Sequence, residues 1–127
     1  MRNLLTKFVD RALTALVAFV MIGGGLAHLA TPQGFAALVP PFLPAVVVVI
    51  LAGVVQIIIG IAAILPSKRA LGGLAFACLC AAYMPLHLWD FFRADPVFAP
   101  PVAASLRVLV QGLFIWAGVT LWRRNKV

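Results

Sequence analysis

Long stretches without a charged side chain constrain this sequence more than any other feature. No Asp, Glu, Lys or Arg occurs over residues 12–67, 70–89 or 108–122. A helix needs about 20 apolar residues to cross a hydrocarbon core about 30 Å thick. Of the 127 residues, 65% are hydrophobic and 10% are charged, whereas an average soluble domain has about 25% charged residues. The pattern excludes an ordinary soluble enzyme, a disordered tail and a secreted disulfide scaffold, and it predicts a small integral membrane protein.

Prolines divide these stretches into four predicted membrane spans. The first stretch is long enough for two crossings, and Pro32, Pro40, Pro41 and Pro44 interrupt it in the middle. The runs are rich in Ala, Leu and Gly and lack the alternation of a barrel strand. The spans are predicted at residues 9–29, 44–65, 70–91 and 102–122. We therefore predict an all-α fold, a four-helix membrane bundle that forms a single domain over residues 1–127.

The connections between the spans carry their own predictions. Residues 31–43 contain no formal charge and several large apolar side chains, so we expect a short interfacial helix or a loop folded over the mouth of the bundle. Residues 93–101 contain three prolines and are expected to form an ordered lid or connector. Residues 66–69 are so few that the second and third spans must form an antiparallel hairpin.

The basic residues predict the orientation of the bundle. With four spans, eight of them lie on one side of the membrane, and Lys and Arg in short loops favour the cytoplasmic side. These residues are Arg2, Lys7, Arg11, Lys68, Arg69, Arg123, Arg124 and Lys126. Both termini are therefore predicted to be cytoplasmic. Topology explains the net charge of +7, so no nucleic-acid partner is expected. A cleaved signal peptide is disfavoured, because His28 would stand where a small residue is needed.

Polar residues inside the spans are the candidate site, because polar groups are costly in hydrocarbon and usually face the bundle interior. Each span has one stripe of small or polar residues, and the four stripes can face one another. His28, His87 and Arg107 are expected in one layer near the outer face, with Gln56 and Gln111 nearer the midplane. These five residues are predicted to line a ligand-binding pocket that opens to the outer face. No residue is assigned a catalytic role.

Each candidate also has a structural alternative. Either histidine can simply be an interfacial or hydrogen-bonded side chain. Arg107 can extend to the outer headgroups or pair with Asp90, and the two glutamines can form hydrogen bonds between helices. A copper site formed by the histidines with Met21 and Met84, or a haem held by the two histidines, is less favoured because no spacing singles it out. We therefore assign no metal site.

The two cysteines do not predict redox chemistry. Cys78 and Cys80 are two residues apart, so on a helix they point to nearly opposite faces, and a disulfide between them would require unwinding. Both are also predicted near the middle of the membrane, where a thiol behaves as a small apolar group.

Several motifs resemble those of DoxX-like membrane proteins. The first is the run Gly25-Leu-Ala-His28-Leu-Ala-Thr-Pro32 followed by Val39-Pro40-Pro41-Phe42-Leu43-Pro44. Others follow in family order: Gly53-Val-Val-Gln56 with Gly60, then Met84-Pro85-Leu86-His87, then Arg107 followed by Gln111. The resemblance covers about residues 20–120. Many relatives have an acidic residue in place of Gln56 and an Asn in place of His87, so the resemblance implies no proton-relay acid here.

The resemblance implies a four-helix inner-membrane protein. It also implies a link to redox chemistry, because some DoxX-related proteins resemble subunits of quinone-linked sulfur or thiol oxidation systems. The sequence has no flavin, nucleotide or CxxC motif, so a partner subunit would carry the redox group while this chain supplies an anchor or a quinone pocket. In that pocket, His28 and His87 would bond a quinone carbonyl or exchange protons, and Arg107 would polarise the second carbonyl. Gln111 would orient Arg107.

Two other functions stay open from the sequence. A small transporter of an anion or a metal could use Arg107 and the histidines, although the sequence contains no Glu for proton-coupled export of cations. A structural assembly partner needs no ligand besides the lipid bilayer. The glycine stripes suit contacts within one bundle or between copies, so a homo-oligomer stays open as well.

Overall fold

The computed structural model of the protein describes residues 3–127, and no strand occurs among them. The four long helices are α1 (Leu4–Ala30), α2 (Ala45–Ile64), α3 (Arg69–Trp89) and α4 (Val102–Asn125), and a 3₁₀ helix (Pro32–Leu38) follows α1. Each long helix has the length and hydropathy to cross a membrane, which indicates a multi-pass membrane protein. The predicted all-α class is confirmed, as is the presence of four apolar helices of membrane-spanning length.

Local chemistry sets the ends of the helices. Helix α1 begins five residues before the predicted span, because the Asn3 side chain caps it by accepting a hydrogen bond from Thr6 N at 2.8 Å. At the turn between α2 and α3, the Arg69 guanidinium donates to the carbonyl oxygens of Ala63 and Ile64, each at 3.2 Å. These carbonyls belong to the last turn of α2, so Arg69 stabilises the short hairpin that the sequence predicts.

The bundle consists of two antiparallel hairpins, α1–α2 and α3–α4, which meet mainly through α2 and α3. Glycines allow the backbones to approach closely within each hairpin. A methyl group on Gly25 would lie 2.6 Å from the Gly53 carbonyl oxygen, and one on Gly118 would lie 2.7 Å from the Gly73 carbonyl oxygen. The predicted small-residue stripes therefore do face one another inside the bundle.

The core lies between the helices, and the apolar residues outside it are exposed, as expected for a surface that faces lipid. Its central cluster includes Val17, Met21, Phe76, Cys80 and Leu121. Cys78 is exposed whereas Cys80 is buried, which agrees with the prediction that the two thiols point to different faces.

A partly buried ion pair joins the two terminal helices. Arg124 Nε donates to Asp10 Oδ1 at 2.6 Å, and Arg124 Nη2 donates to the Thr6 carbonyl oxygen at 3.1 Å. The sequence analysis used Arg124 only as an orientation signal; the structure adds a packing role for it. We call the end of the bundle that contains this ion pair the terminal end. Arg2, another of the eight predicted cytoplasmic residues, lies outside the described part of the chain.

Candidate functional site

A cavity of about 280 Å³ lies at the opposite end, which we call the loop end because the 3₁₀ helix and the connection over residues 90–101 form it. All four long helices and both connections contribute to its wall. Four of the five predicted site residues line it: His28, Gln56, His87 and Arg107. They come from four different helices, so the predicted convergence is present, although their binding of a ligand stays a prediction.

Both histidines form the same backbone contact. His28 Nδ1 lies 2.6 Å from the Gly24 carbonyl oxygen, and His87 Nδ1 lies 2.8 Å from the Tyr83 carbonyl oxygen. A carbonyl oxygen can only accept, so Nδ1 carries the hydrogen in each ring. In the neutral imidazole, Nε2 is then a hydrogen-bond acceptor. The two rings therefore offer the cavity acceptors, not donors, while they are neutral.

A hydrogen bond between α2 and α3 determines which hydrogen-bond donor these helices offer to the cavity. Gln56 Nε2 donates to Tyr83 Oη at 3.2 Å, and both residues line the cavity. Because its oxygen accepts this bond, the Tyr83 hydroxyl can direct its hydrogen to a ligand. The alternative in which Gln56 joins two helices is thus confirmed, and it leaves Tyr83 as a donor that the sequence analysis did not assign.

Arg107 is held by an ion pair. Its Nη1 lies 3.0 Å from Asp90 Oδ2, and the Asp90 side chain is 2% exposed. The other carboxylate oxygen of Asp90 accepts a hydrogen bond from Val97 N at 2.9 Å. The guanidinium carbon of Arg107 also lies 4.3 Å from the centre of the Phe98 ring. The predicted alternative, a pair with Asp90, is confirmed, and a guanidinium with five N–H donors has capacity left for a ligand.

The 3₁₀ helix covers the cavity. The Phe35 ring stacks on His28 with ring centres 4.0 Å apart, and Leu38 adds apolar surface to the wall. Arg93 Nη1 donates to the Ala37 carbonyl oxygen at 2.9 Å, and its guanidinium carbon lies 4.0 Å from the Trp89 ring centre. Of the two predicted alternatives, the short helix is present and it also folds over the mouth of the bundle, whereas its position in the membrane interface stays a prediction.

Gln111 does not line the cavity. Its Nε2 donates to the Cys80 carbonyl oxygen at 2.8 Å and so joins α4 to α3. Asp90, not Gln111, forms the hydrogen bond that orients Arg107. The prediction that Gln111 orients Arg107 is therefore wrong. Gln111 lies one helical turn from Arg107 on the same face of α4, but its side chain turns to a carbonyl group of the neighbouring helix α3. Gln111 instead lines a second groove beside the cavity.

The sequence analysis did not assign to the site the Phe and Tyr residues of the cavity wall, which are Phe35, Tyr83 and Phe98. Tyr83 lies one helical turn before His87, so the stripe that contains His87 could have identified it. Phe35 and Phe98 lie on the two connections, where no helical period indicates the direction of a side chain. The multiple prolines around them marked ordered segments but did not mark these two rings as parts of a site.

The cavity residues also bear on the choice of bound group. Within residues 3–127, no cluster of three or more His, Cys, Asp or Glu side chains could hold a metal ion. Met21 belongs to the central core cluster rather than to the cavity wall. The chain thus offers two imidazole rings (His28 and His87), a phenolic donor and a charged donor in an otherwise apolar cavity. That set suits an organic molecule that has both carbonyl and hydroxyl forms.

The comparisons with known proteins give one family match. A family model described as "Domain of unknown function (DUF8561)" matches residues 16–121. No curated protein and no solved structure matches the chain. The matched region contains the cavity, yet its description gives no activity.

Proposed function

The chain belongs to the DUF8561 family, and we propose that it binds the head group of a quinone in the loop-end cavity. One observation carries the proposal: a mainly apolar, partly open cavity of about 280 Å³ whose polar groups are both hydrogen-bond donors and acceptors. Pockets for small molecules typically measure about 300–1,000 Å³ and combine apolar walls with few polar groups. A cavity of about 280 Å³, just below that range, suits one substituted ring.

The polar residues of the cavity suit different redox forms of the ligand: the donors suit the quinone and the acceptors suit the quinol. Arg107 and the Tyr83 hydroxyl donate, so they suit the carbonyl oxygens of a quinone. His28 Nε2 and His87 Nε2 accept, so in their neutral form they suit the hydroxyl groups of a quinol and can take up its protons. This refines the prediction that the histidines bond a quinone carbonyl, because they can do so only after protonation.

Aromatic and apolar side chains hold the ring itself. Phe35 lies against His28, and Phe98 lies against Arg107, so the two polar groups are partly shielded from water. Hydrogen bonds are stronger in such a low-dielectric enclosure. The 3₁₀ helix and the 90–101 connection would thereby exclude water from the proton-exchanging atoms.

The proposal extends to the cellular setting. The chain is a DoxX-like membrane subunit or anchor of the cell inner membrane, with both termini cytoplasmic and the cavity facing outward. A partner subunit carries the redox group that exchanges electrons with the quinone. The resemblance in motifs and the distribution of basic residues support these points.

An anion carrier is the less favoured function. Arg107 would be its binding residue, but Asp90 balances that charge at 3.0 Å. Arg93 lies 4.0 Å from the same carboxylate and also donates to the backbone of the 3₁₀ helix. Both cations therefore already have partners, which weakens their attraction for a free anion.

Copurification tests the proposed function. The protein is purified in mild detergent from membranes that contain quinone, and the organic extract is analysed by mass spectrometry. We expect quinone bound to the wild type and a loss of most of it from a His28→Phe, His87→Phe double variant. Cys78→Ser, a change at an exposed position outside the cavity, is the matched control and should retain the quinone. Equal quinone in all three proteins would overturn the proposal.

A further inference from the structure

A groove on the surface of the bundle adjoins the cavity. It has a volume of about 390 Å³ and runs along α4 from Ala103 to Phe114. At about 1.5 Å per residue, this distance is about 16 Å along the helix axis. Most of its lining is apolar, and Gln111 is the polar residue nearest the end of the groove at Phe114.

The groove and the cavity share a wall. His87, Phe98 and Arg107 line both of them. His87 and Arg107 are held by the hydrogen bonds described above, whereas Phe98 lies on the connection between α3 and α4. The boundary between the two spaces therefore consists of two fixed polar side chains and one ring on a loop.

We propose that this groove binds the isoprenoid tail of the quinone whose head occupies the cavity. The inference rests on the proposed function and assigns the ligand class as a long-chain quinone that enters from the bilayer. The cavity accommodates a ring but not a long tail, and the groove continues from it toward the middle of the membrane. The tail would cross the shared wall at Phe98.

The positions of neighbouring α4 residues offer a matched pair of variants. Both Val110 (43% exposed) and Leu109 (65% exposed) lie at the surface, but Val110 lines the groove and Leu109 lies outside it. A tryptophan at Val110 would fill the groove, while a tryptophan at Leu109 would add the same bulk to the lipid-facing surface. Leu106, which also lines the groove, provides a second position for the same test.

Photocrosslinking in nanodiscs tests the inference. The probe is a quinone whose isoprenoid tail carries a diazirine, and a large excess of a short-chain quinone serves as competitor. We expect competed labelling on α4 near the groove and a decrease of about tenfold in Val110→Trp and in Leu106→Trp, because the added ring takes the space of the tail. Leu109→Trp should stay within about twofold of the wild type, since its ring lies outside the groove.

The outcomes separate the two proposals. Competed labelling that maps to α1 or α2, or that persists in Val110→Trp and Leu106→Trp, would overturn the tail site and leave the head site intact. Both proposals would be overturned if the wild type showed no labelling that a short-chain quinone reduces and also copurified without quinone.

Discussion

Arg107 Nη1 and Asp90 Oδ2 lie 3.0 Å apart and join the beginning of α4 to the end of α3. Arg107 is the one basic residue that the predicted topology does not explain, since it lies inside the fourth predicted span. The structure gives it a buried carboxylate as partner, and Val97 N holds the same carboxylate from the 90–101 connection. The pair thus fixes a donor at the cavity wall and anchors the segment that carries Phe98.

Breaking this pair from one side should destabilise the bundle. Asp90→Asn leaves the Arg107 guanidinium without its carboxylate, and we expect a loss of about 3 kcal/mol in the free energy of unfolding. The double variant Asp90→Asn, Arg107→Gln removes both charges and should lose less than the sum of the two single variants. Thermal unfolding in detergent measures this, with Arg123→Gln, an exposed arginine on α4, as the control. Additive losses would contradict the account.

The glycine contact between α1 and α2 predicts opposite effects at two nearby positions. Gly25→Ala places a methyl group 2.6 Å from the Gly53 carbonyl oxygen, which should cost about 1–3 kcal/mol. Gly23→Ala meets nothing within 4 Å and should be neutral or stabilising by up to about 1 kcal/mol. Unfolding midpoints in the same detergent compare them. Similar midpoints for the two variants would contradict the proposed packing.

The same comparison on α4 tests the other hairpin. Gly118→Ala would come within 2.7 Å of the Gly73 carbonyl oxygen, whereas Gly112→Ala has open space within 4 Å. We expect the first to lower the unfolding midpoint and the second to leave it unchanged or higher, as at the α1 positions. An unaffected Gly118→Ala protein would mean that α3 and α4 are not in close contact there.

The Asp10–Arg124 pair predicts local protection at the terminal end. Arg124→Gln removes the bonds to Asp10 Oδ1 and to the Thr6 carbonyl oxygen, so the first turns of α1 should exchange backbone hydrogen faster. Hydrogen–deuterium exchange with mass spectrometry measures this over residues 4–12. Arg123→Gln should leave exchange unchanged, and an equal increase in both variants would contradict the pairing role.

The proposed orientation predicts which side of the membrane each end faces. Lys126→Cys should react with a membrane-impermeant maleimide only after the cytoplasmic side is made accessible, whereas Ala99→Cys should react in intact cells. The native Cys78 lies on a predicted span, so a protein without added cysteine serves as the blank. Labelling of Lys126→Cys in intact cells would contradict this orientation and would mean that the cavity faces the cytoplasm.

The sequence predicts the helices and the inward stripes well because both follow from hydropathy and helical period. The same reasoning finds four of the cavity residues, since His28, Gln56, His87 and Arg107 are polar groups in apolar helices. It does not find Phe35 or Phe98, because Phe35 lies on a short 3₁₀ helix and Phe98 on an irregular connection, and neither segment has the period of a long apolar α-helix. It names Asp90 as one possible partner of Arg107 but gives the orienting role to Gln111, because Gln111 is one turn away on the same helix whereas only tertiary packing shows that Asp90 is adjacent.

The central claim is most directly tested by the affinities of the reduced and oxidised forms of a short-chain quinone. Replacing an acceptor should weaken binding of the quinol, and replacing a donor should weaken binding of the quinone, each by about threefold to tenfold for one hydrogen bond. His87→Phe and Tyr83→Phe are the two variants, and Kd values for both forms are measured by titration of the purified protein. We expect His87→Phe to affect mainly the quinol and Tyr83→Phe mainly the quinone. Equal changes for both forms, or no binding to the wild type, would contradict the claim.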